Sequence, residues 1–170
     1  MTLLVKSRRE GRDIVRVTPQ SAGWRYVGFS AHRLQSGESM AIEQPGNEVC
    51  VVVLGGTVTI RVDNTRWTDI GERRDVFDDA APYAVYVPDG GRIAVEASAP
   101  AEIGIASAPG PATTPARLIR PSQMKRFARG TDQLALGPAE LGHVAGEAAV
   151  LFTAGSCHRG CLLRITGTVW

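Results

Sequence analysis

The side chains best suited to chemistry in this 170-residue chain are three histidines (His32, His143, His158), three cysteines (Cys50, Cys157, Cys161) and the acidic group Asp69, Glu72, Asp75, Asp78 and Asp79. Two imidazoles share a metal most simply as His-x-His, which sets both on one face of a strand. No two of these histidines have that spacing, so a metal site built from all three is not expected. Cys157-His158-x-x-Cys161 also lacks a second Cys or His pair to complete the four ligands of a structural zinc site, and reads as incidental. Ser21 and Ser30 have no histidine and acid beside them in a recognisable arrangement, so no nucleophile triad is expected. Arg73 and Arg74 interrupt the acidic group, which therefore reads as a surface charge mix and not a catalytic carboxylate pair.

Trp24, Arg25 and Tyr26 form the best ligand-facing group. An aromatic ring can pack on the C–H face of a sugar acid while arginine takes its carboxylate through paired hydrogen bonds. Strand alternation gives the competing reading, in which Trp24 and Tyr26 are core and Arg25 points outside.

Short strands must position these groups. Trp24–Leu34, Glu48–Leu54, Thr57–Val62, Ala84–Val87, Arg92–Ala97 and Glu102–Ser107 are rich in β-branched or aromatic residues. Turn sequences suited to φ > 0 or tight reversal separate them: Gly55-Gly56, Asp63-Asn64 and Asp89-Gly90-Gly91. Since Gly55-Gly56 joins two strands and not a strand and a helix, it reads as a hairpin turn and not a phosphate cradle. Val49–Leu54 is apolar at nearly every position, as a strand covered on both faces must be, whereas Val58, Ile60 and Val62 alternate with polar neighbours and should point inward. The pattern predicts an all-β fold, an antiparallel sandwich or barrel.

Prolines between Ala108 and Pro115 remove backbone donors and predict a linker, after which Arg117–Arg120 predicts one more strand leading away from the first domain. From about Thr131 the composition turns to Ala, Gly and Leu with weak periodicity, and no fold is assigned there. The basic clusters Lys6, Arg8, Arg9, Arg12 and Lys125, Arg126, Arg129 carry no interleaved aromatics, so they read as solvated surface and not a nucleic-acid interface. An acidic small molecule fits the net charge of +2. An odd cysteine count without framework spacing, no signal-peptide core and no apolar run of spanning length together predict a cytoplasmic protein with no membrane association.

From Gly37 to Gly56 the sequence GESMAIEQPGNEVCVVVLGG resembles the first motif of a cupin, with Glu48 before a six-residue spacer that ends at Gly55. Pro88 and Gly90 supply the Pro-x-Gly turn of the second motif. The resemblance implies a histidine-rich metal site, yet Glu43, Gln44 and Pro45 stand where two histidines belong and Ile93 where a third does. No metal is therefore expected in this chain.

SAGWRYVGF at Ser21–Phe29, AVYVPDG at Ala84–Gly90 and PARLIRPSQMKRFARGT further on resemble the N-terminal half of 5-deoxy-glucuronate isomerases of myo-inositol catabolism, over about Thr2 to Thr131. That resemblance implies a bicupin related to the ketol-isomerases of pectin breakdown, an aldose-to-ketose conversion of 5-deoxy-glucuronate, and a divalent metal held in the C-terminal cupin. It divides the chain into an N-terminal cupin over 1–110, a linker toward a second cupin over 111–130, and an aberrant or truncated tail over 131–170, the product of a shifted reading frame or an interrupted gene. Three function classes follow: an isomerase completed by a partner or unseen site, a non-catalytic sugar-acid-binding cupin, and a structural module. The sister domain's absence predicts self-association through an exposed apolar face.

Overall fold

The computed structural model describes residues 5–8, 10–110 and 114–124 in full, and the backbone of 149–157 and 160–168. Six strands make one antiparallel sheet in the order β1 (Asp13–Val17), β2 (Gly28–Leu34), β9 (Ala101–Pro109), β4 (Asn47–Gly55), β7 (Ala84–Val87) and β10 (Arg117–Ile119). Four make a second, in the order β3 (Ser39–Ile42), β8 (Ile93–Ala97), β5 (Val58–Val62) and β6 (Thr65–Ile70). This is the all-β sandwich the sequence predicts.

Side-chain alternation builds two apolar layers. Val49, Val51 and Val53 of β4 meet Val58, Ile60 and Val62 of β5 and Ile93 and Val95 of β8 in the core between the sheets. Cys50, Val52 and Leu54 point the other way and join Phe29, Ala31, Ala106 and Met124 in a second cluster on the outer face of the large sheet. β4 is thus covered on both faces, which explains its nearly unbroken apolar run. Each fully buried Val or Ile contributes about 1.5–3 kcal/mol relative to exposure.

The segment Arg73–Ala81 lies over the outer layer and brings Val76 and Ala81 onto it. Arg73 is only 6% exposed, and its guanidinium donates to the carbonyls of Asp75 (3.2 Å) and Val76 (2.7 Å). It is an internal strut of that segment and not part of a surface charge mix. Arg74 and Asp78 do pair at the surface, at 3.3 Å. A hydrogen bond from the Arg74 backbone N–H, with that guanidinium beside it, holds the Asp78 carboxyl below its usual range.

Several connections differ from expectation. Gly55-Gly56 joins strands that lie in different sheets, so it is a corner of the sandwich and not a hairpin turn; Asp89-Gly90-Gly91 turns a second such corner, with Gly90 at φ 48°. At Gly56 φ is +79°, and a side chain there would strike the Pro100 carbonyl and Ala101. Asp63, at φ 49°, does close a hairpin between β5 and β6. β10 does not lead away: Arg117–Ile119 pairs antiparallel with β7 and extends the large sheet. β1, β3 and β6 were not anticipated, being short or, in β6, mostly exposed. Ala149–Cys157 (β11) and Gly160–Thr168 (β12) pair antiparallel as a two-stranded ladder, within the tail whose composition shows little strand periodicity.

Candidate functional site

A cleft of about 580 Å3 opens where the inner face of the large sheet, at its β1–β2 edge, meets β3 of the small sheet. Its floor follows from the alternation in β2. Phe29 and Ala31 turn to the outer layer, so Ser30 and His32 turn into the cleft, beside Ile105 of β9.

His32 is 6% exposed and uses both ring nitrogens. Nδ1 lies 2.8 Å from Asp13 Oδ1, and Nε2 lies 2.8 Å from Ser30 Oγ. An ionised carboxylate only accepts, so Nδ1 carries a proton and donates it to Asp13; in the neutral ring Nε2 then accepts from the Ser30 hydroxyl. Asp, His and Ser therefore form one chain of hydrogen bonds ending in the cleft. The expectation that Ser30 has no histidine and acid in arrangement is overturned.

A β-bulge makes this possible. Val15, Arg16 and Val17 face Ala31, Ser30 and Phe29 in regular register, which would set Ile14 opposite His32. The register shifts between Asp13 and Val15, so Asp13 faces His32 while Ile14 packs with the outer layer. Ser30-x-His32 was legible as two side chains on one strand face. Asp13 was not, because a bulge breaks the alternation that sequence reading relies on.

Arg16, opposite Ser30, lines the cleft from β1. Arg25 and Tyr26 line it from the turn after the short helix α1 (Pro19–Ala22). Thr18 caps that helix through its hydroxyl, Gly23 ends it in the left-handed region at φ 65°, and Trp24 N–H closes the turn on the Pro19 carbonyl at 2.9 Å. The chain emerges as irregular backbone, and β2 begins only at Gly28. Trp24 and Tyr26 are 37% and 40% exposed, so neither is core. The Arg25 guanidinium stands 4.9 Å over the Tyr26 ring, while Trp24 lies outside the lining. Glu43 also lines the cleft, and its carboxylate accepts from Arg92 at 3.3 Å.

The cupin ligand positions do not fit a metal. Ile93 is fully buried in the apolar core, opposite Ile42. Glu48 lies on the face of β4 that carries Cys50 and Val52, where it hydrogen-bonds Tyr86; burial first, and that carboxylate second, raise the Tyr86 hydroxyl's pKa. Among the described residues no three His, Cys, Asp or Glu side chains converge on one point. His143 and His158, the side chains of Cys157 and Cys161, and the cluster Lys125, Arg126, Arg129 lie outside the described residues. No helix among the described residues is long and apolar enough to cross a membrane.

Residues 3–136 match the KduI/IolB family. A 5-deoxy-glucuronate isomerase of Geobacillus thermodenitrificans is 42% identical over 128 residues, covering 75% of this chain and 47% of that protein. The enzyme of the same name from Geobacillus kaustophilus is also 42% identical, over 75% of this chain and 46% of its own length. The chain thus spans about half the length of these curated relatives. The crystal structure of an IolB-like protein of Salmonella typhimurium superposes with a TM-score of 0.79 at 29% identity, over 91% of this chain and 60% of that one. The Ylba protein of E. coli, at 12% identity and a TM-score of 0.58 over 89% of this chain and 60% of that one, shares the fold alone.

Proposed function

The chain belongs to the KduI/IolB family, and from that premise we propose that it is the N-terminal, sugar-acid-binding cupin of a 5-deoxy-glucuronate isomerase-like protein. Aldose-to-ketose conversion of 5-deoxy-glucuronate, as a step of myo-inositol catabolism, is assigned to the complete bicupin. The divalent metal expected of the family is assigned to its second cupin, because the ligand positions of this one hold Ile93, Pro45 and an outward-facing Glu48. In this reading the first cupin comprises residues 1–110 together with β10 (Arg117–Ile119), which extends its large sheet.

The observation that carries the binding role is the cleft. Arg16 and Arg25 are its cationic groups, Glu43 is matched by Arg92, and Ser30 and Tyr26 offer hydroxyls to a polyol. A guanidinium takes a carboxylate bidentately and an aromatic ring takes a sugar's C–H face. This supports Arg25 and Tyr26 as ligand-binding residues, with Trp24 flanking them at the surface. The reading includes a cytoplasmic location, no nucleic-acid or membrane partner, and self-association through an exposed apolar face. Val5, Trp24 and Phe77 are exposed large apolar side chains available for that contact.

Thermal unfolding with 5-deoxy-glucuronate, glucuronate and glucose tests the proposal. Both uronates should raise the midpoint and glucose should not, since only a ligand that binds the folded state shifts it. No shift by millimolar uronate would refute binding. Isomerase turnover by this chain, abolished by a chelator, would refute the assignment of catalysis to a second cupin.

A further inference from the structure

The cleft holds more than a binding surface requires. A polyol needs hydroxyl partners, but it does not need a buried imidazole locked between a carboxylate and a serine. Asp13, His32 and Ser30 stand in the order and at the distances of an activated hydroxyl: 2.8 Å from carboxylate to Nδ1, and 2.8 Å from Nε2 to Oγ. The carboxylate fixes the tautomer, so the ring presents a lone pair to the serine and not an N–H. We propose that Ser30 is a nucleophile of acyl transfer, with His32 as its general base and Asp13 as the residue that positions His32, acting on small anionic esters.

The step balances within these groups. Ser30 Oγ bonds to the ester carbonyl carbon, its proton passes to His32 Nε2, and the carbonyl π pair moves onto oxygen. When the carbonyl reforms, the C–O bond to the alcohol breaks and the departing oxygen takes the proton from Nε2. Water then attacks the acyl-serine with His32 again as base, releasing the acid and restoring the hydroxyl. Negative charge grows on the carbonyl oxygen at each attack. Arg16 stands directly opposite Ser30 in the ladder and lines the same cleft, and is the cation the proposal assigns to that charge. Arg16 and Arg25 also set the substrate class as anionic.

Two further features suit the role. A bulge places Asp13 where a regular strand would place Ile14, and so joins the relay at the cost of ladder pairing. His32 is nearly enclosed while the cleft remains open to a small molecule at Ser30, so the base is shielded and the nucleophile is reachable.

A fluorophosphonate probe reads the proposal without any sugar acid, so it can fail while uronate binding stands, and the reverse. Serine attack on phosphorus expels fluoride and leaves a stable phosphonyl ester that peptide mapping locates. The whole chain should be labelled at Ser30, Ser30→Ala should lose the label, and Ser39→Ala should keep it. His32→Gln should slow labelling about 100-fold, the low end of what a general base contributes. Asp13→Asn should slow it less, and the same variants should rank alike in hydrolysis of an anionic nitrophenyl ester. Thermal unfolding of each variant establishes that it is folded. If folded His32→Gln fails to hold the site, His32→Asn at the same position gives a second measure. No label on folded wild-type protein, label at another serine, or equal rates in wild type and a folded His32 variant would each overturn the proposal.

Discussion

His32 Nδ1 and the Asp13 carboxylate stand 2.8 Å apart across the β1–β2 ladder, where that ladder shifts register. The imidazole is enclosed and the carboxylate is 45% exposed, so one partner depends on the contact more than the other. Asp13→Ala leaves a buried ring N–H without its acceptor and should cost about 1–2 kcal/mol, while His32→Leu followed by Asp13→Ala should cost less at the second step. Urea unfolding of the four proteins of this double-mutant cycle measures the coupling. Strict additivity would show that the pair contributes nothing to stability.

Arg25 tests the binding role separately. Arg25 is exposed, and its guanidinium stands over Tyr26 where both line the cleft. Arg25→Ala should leave the unfolding midpoint in place and weaken uronate binding about tenfold or more, the loss of one charge-assisted contact. Calorimetric titration gives the affinity. An unchanged affinity would remove Arg25 from the site.

The second cupin motif makes a steric prediction. Gly90 sits at φ 48° against the turn that carries the first motif; Gln44 N–H donates to the Gly90 carbonyl at 2.7 Å, and a methyl on Gly90 would strike the Gln44 carbonyl and come within 2.7 Å of Asn47 O. Both clashes are with backbone, which cannot swing aside. Gly90→Ala should therefore destabilise by about 2 kcal/mol or more, while Gly91→Ala, whose methyl would meet nothing within 4 Å, should be nearly neutral. Equal effects at the two positions would show that the corner tolerates strain.

These cases show what sequence made legible. Local rules carried far: the unbroken apolar run of β4 announced burial on both faces, Val58, Ile60 and Val62 announced the inward face of β5, and Asp63-Asn64 announced a hairpin. Reading failed where meaning depends on which sheet a strand joins. Gly55-Gly56 looks the same in a hairpin and in a corner between sheets, and only the pairing of β4 with β9 and β7 separates the two. The Ser30 relay failed for a related reason, since Asp13 lies 19 residues from His32 and reaches it through a bulge. Arg73 was misplaced because a guanidinium bonding backbone carbonyls has no signature beyond its own letter.

Arg73 yields its own test. Removing the side chain leaves the Asp75 and Val76 carbonyls without their donor and uncovers part of the outer apolar layer. Arg73→Ala should lose about 2–4 kcal/mol, and Arg73→Lys should recover only part of that, because one ammonium cannot reproduce a planar fork. Urea midpoints measure both. A fully restored midpoint in the lysine variant would show that charge, and not fork geometry, holds the segment.

Cys50 links the outer layer to pH. Its side chain is buried among Val52, Ala84 and Ala106, and burial pushes the thiol from its ordinary 9.0 up to about 12. Between those values the unfolded chain gives up a proton that the folded chain keeps, so the folded state loses ground as pH rises. The contribution is complete below pH 9 and falls steadily above it, until the folded thiol also ionises near pH 12. Tyr83, raised by its hydrogen bond to Glu72, and Tyr86, raised chiefly by burial, act in the same direction, so wild type alone does not isolate the thiol. Cys50→Ala removes the thiol and leaves both tyrosines. Unfolding by urea at pH 8, 9, 10 and 11 should show wild type losing stability more steeply than Cys50→Ala above pH 9, with parallel behaviour below it. Iodoacetamide should accordingly leave Cys50 unmodified in the native protein at pH 8 and modify it in urea, as peptide mapping would record. Equal slopes in the two proteins, or rapid native alkylation at Cys50, would mean that the outer layer admits water to the thiol.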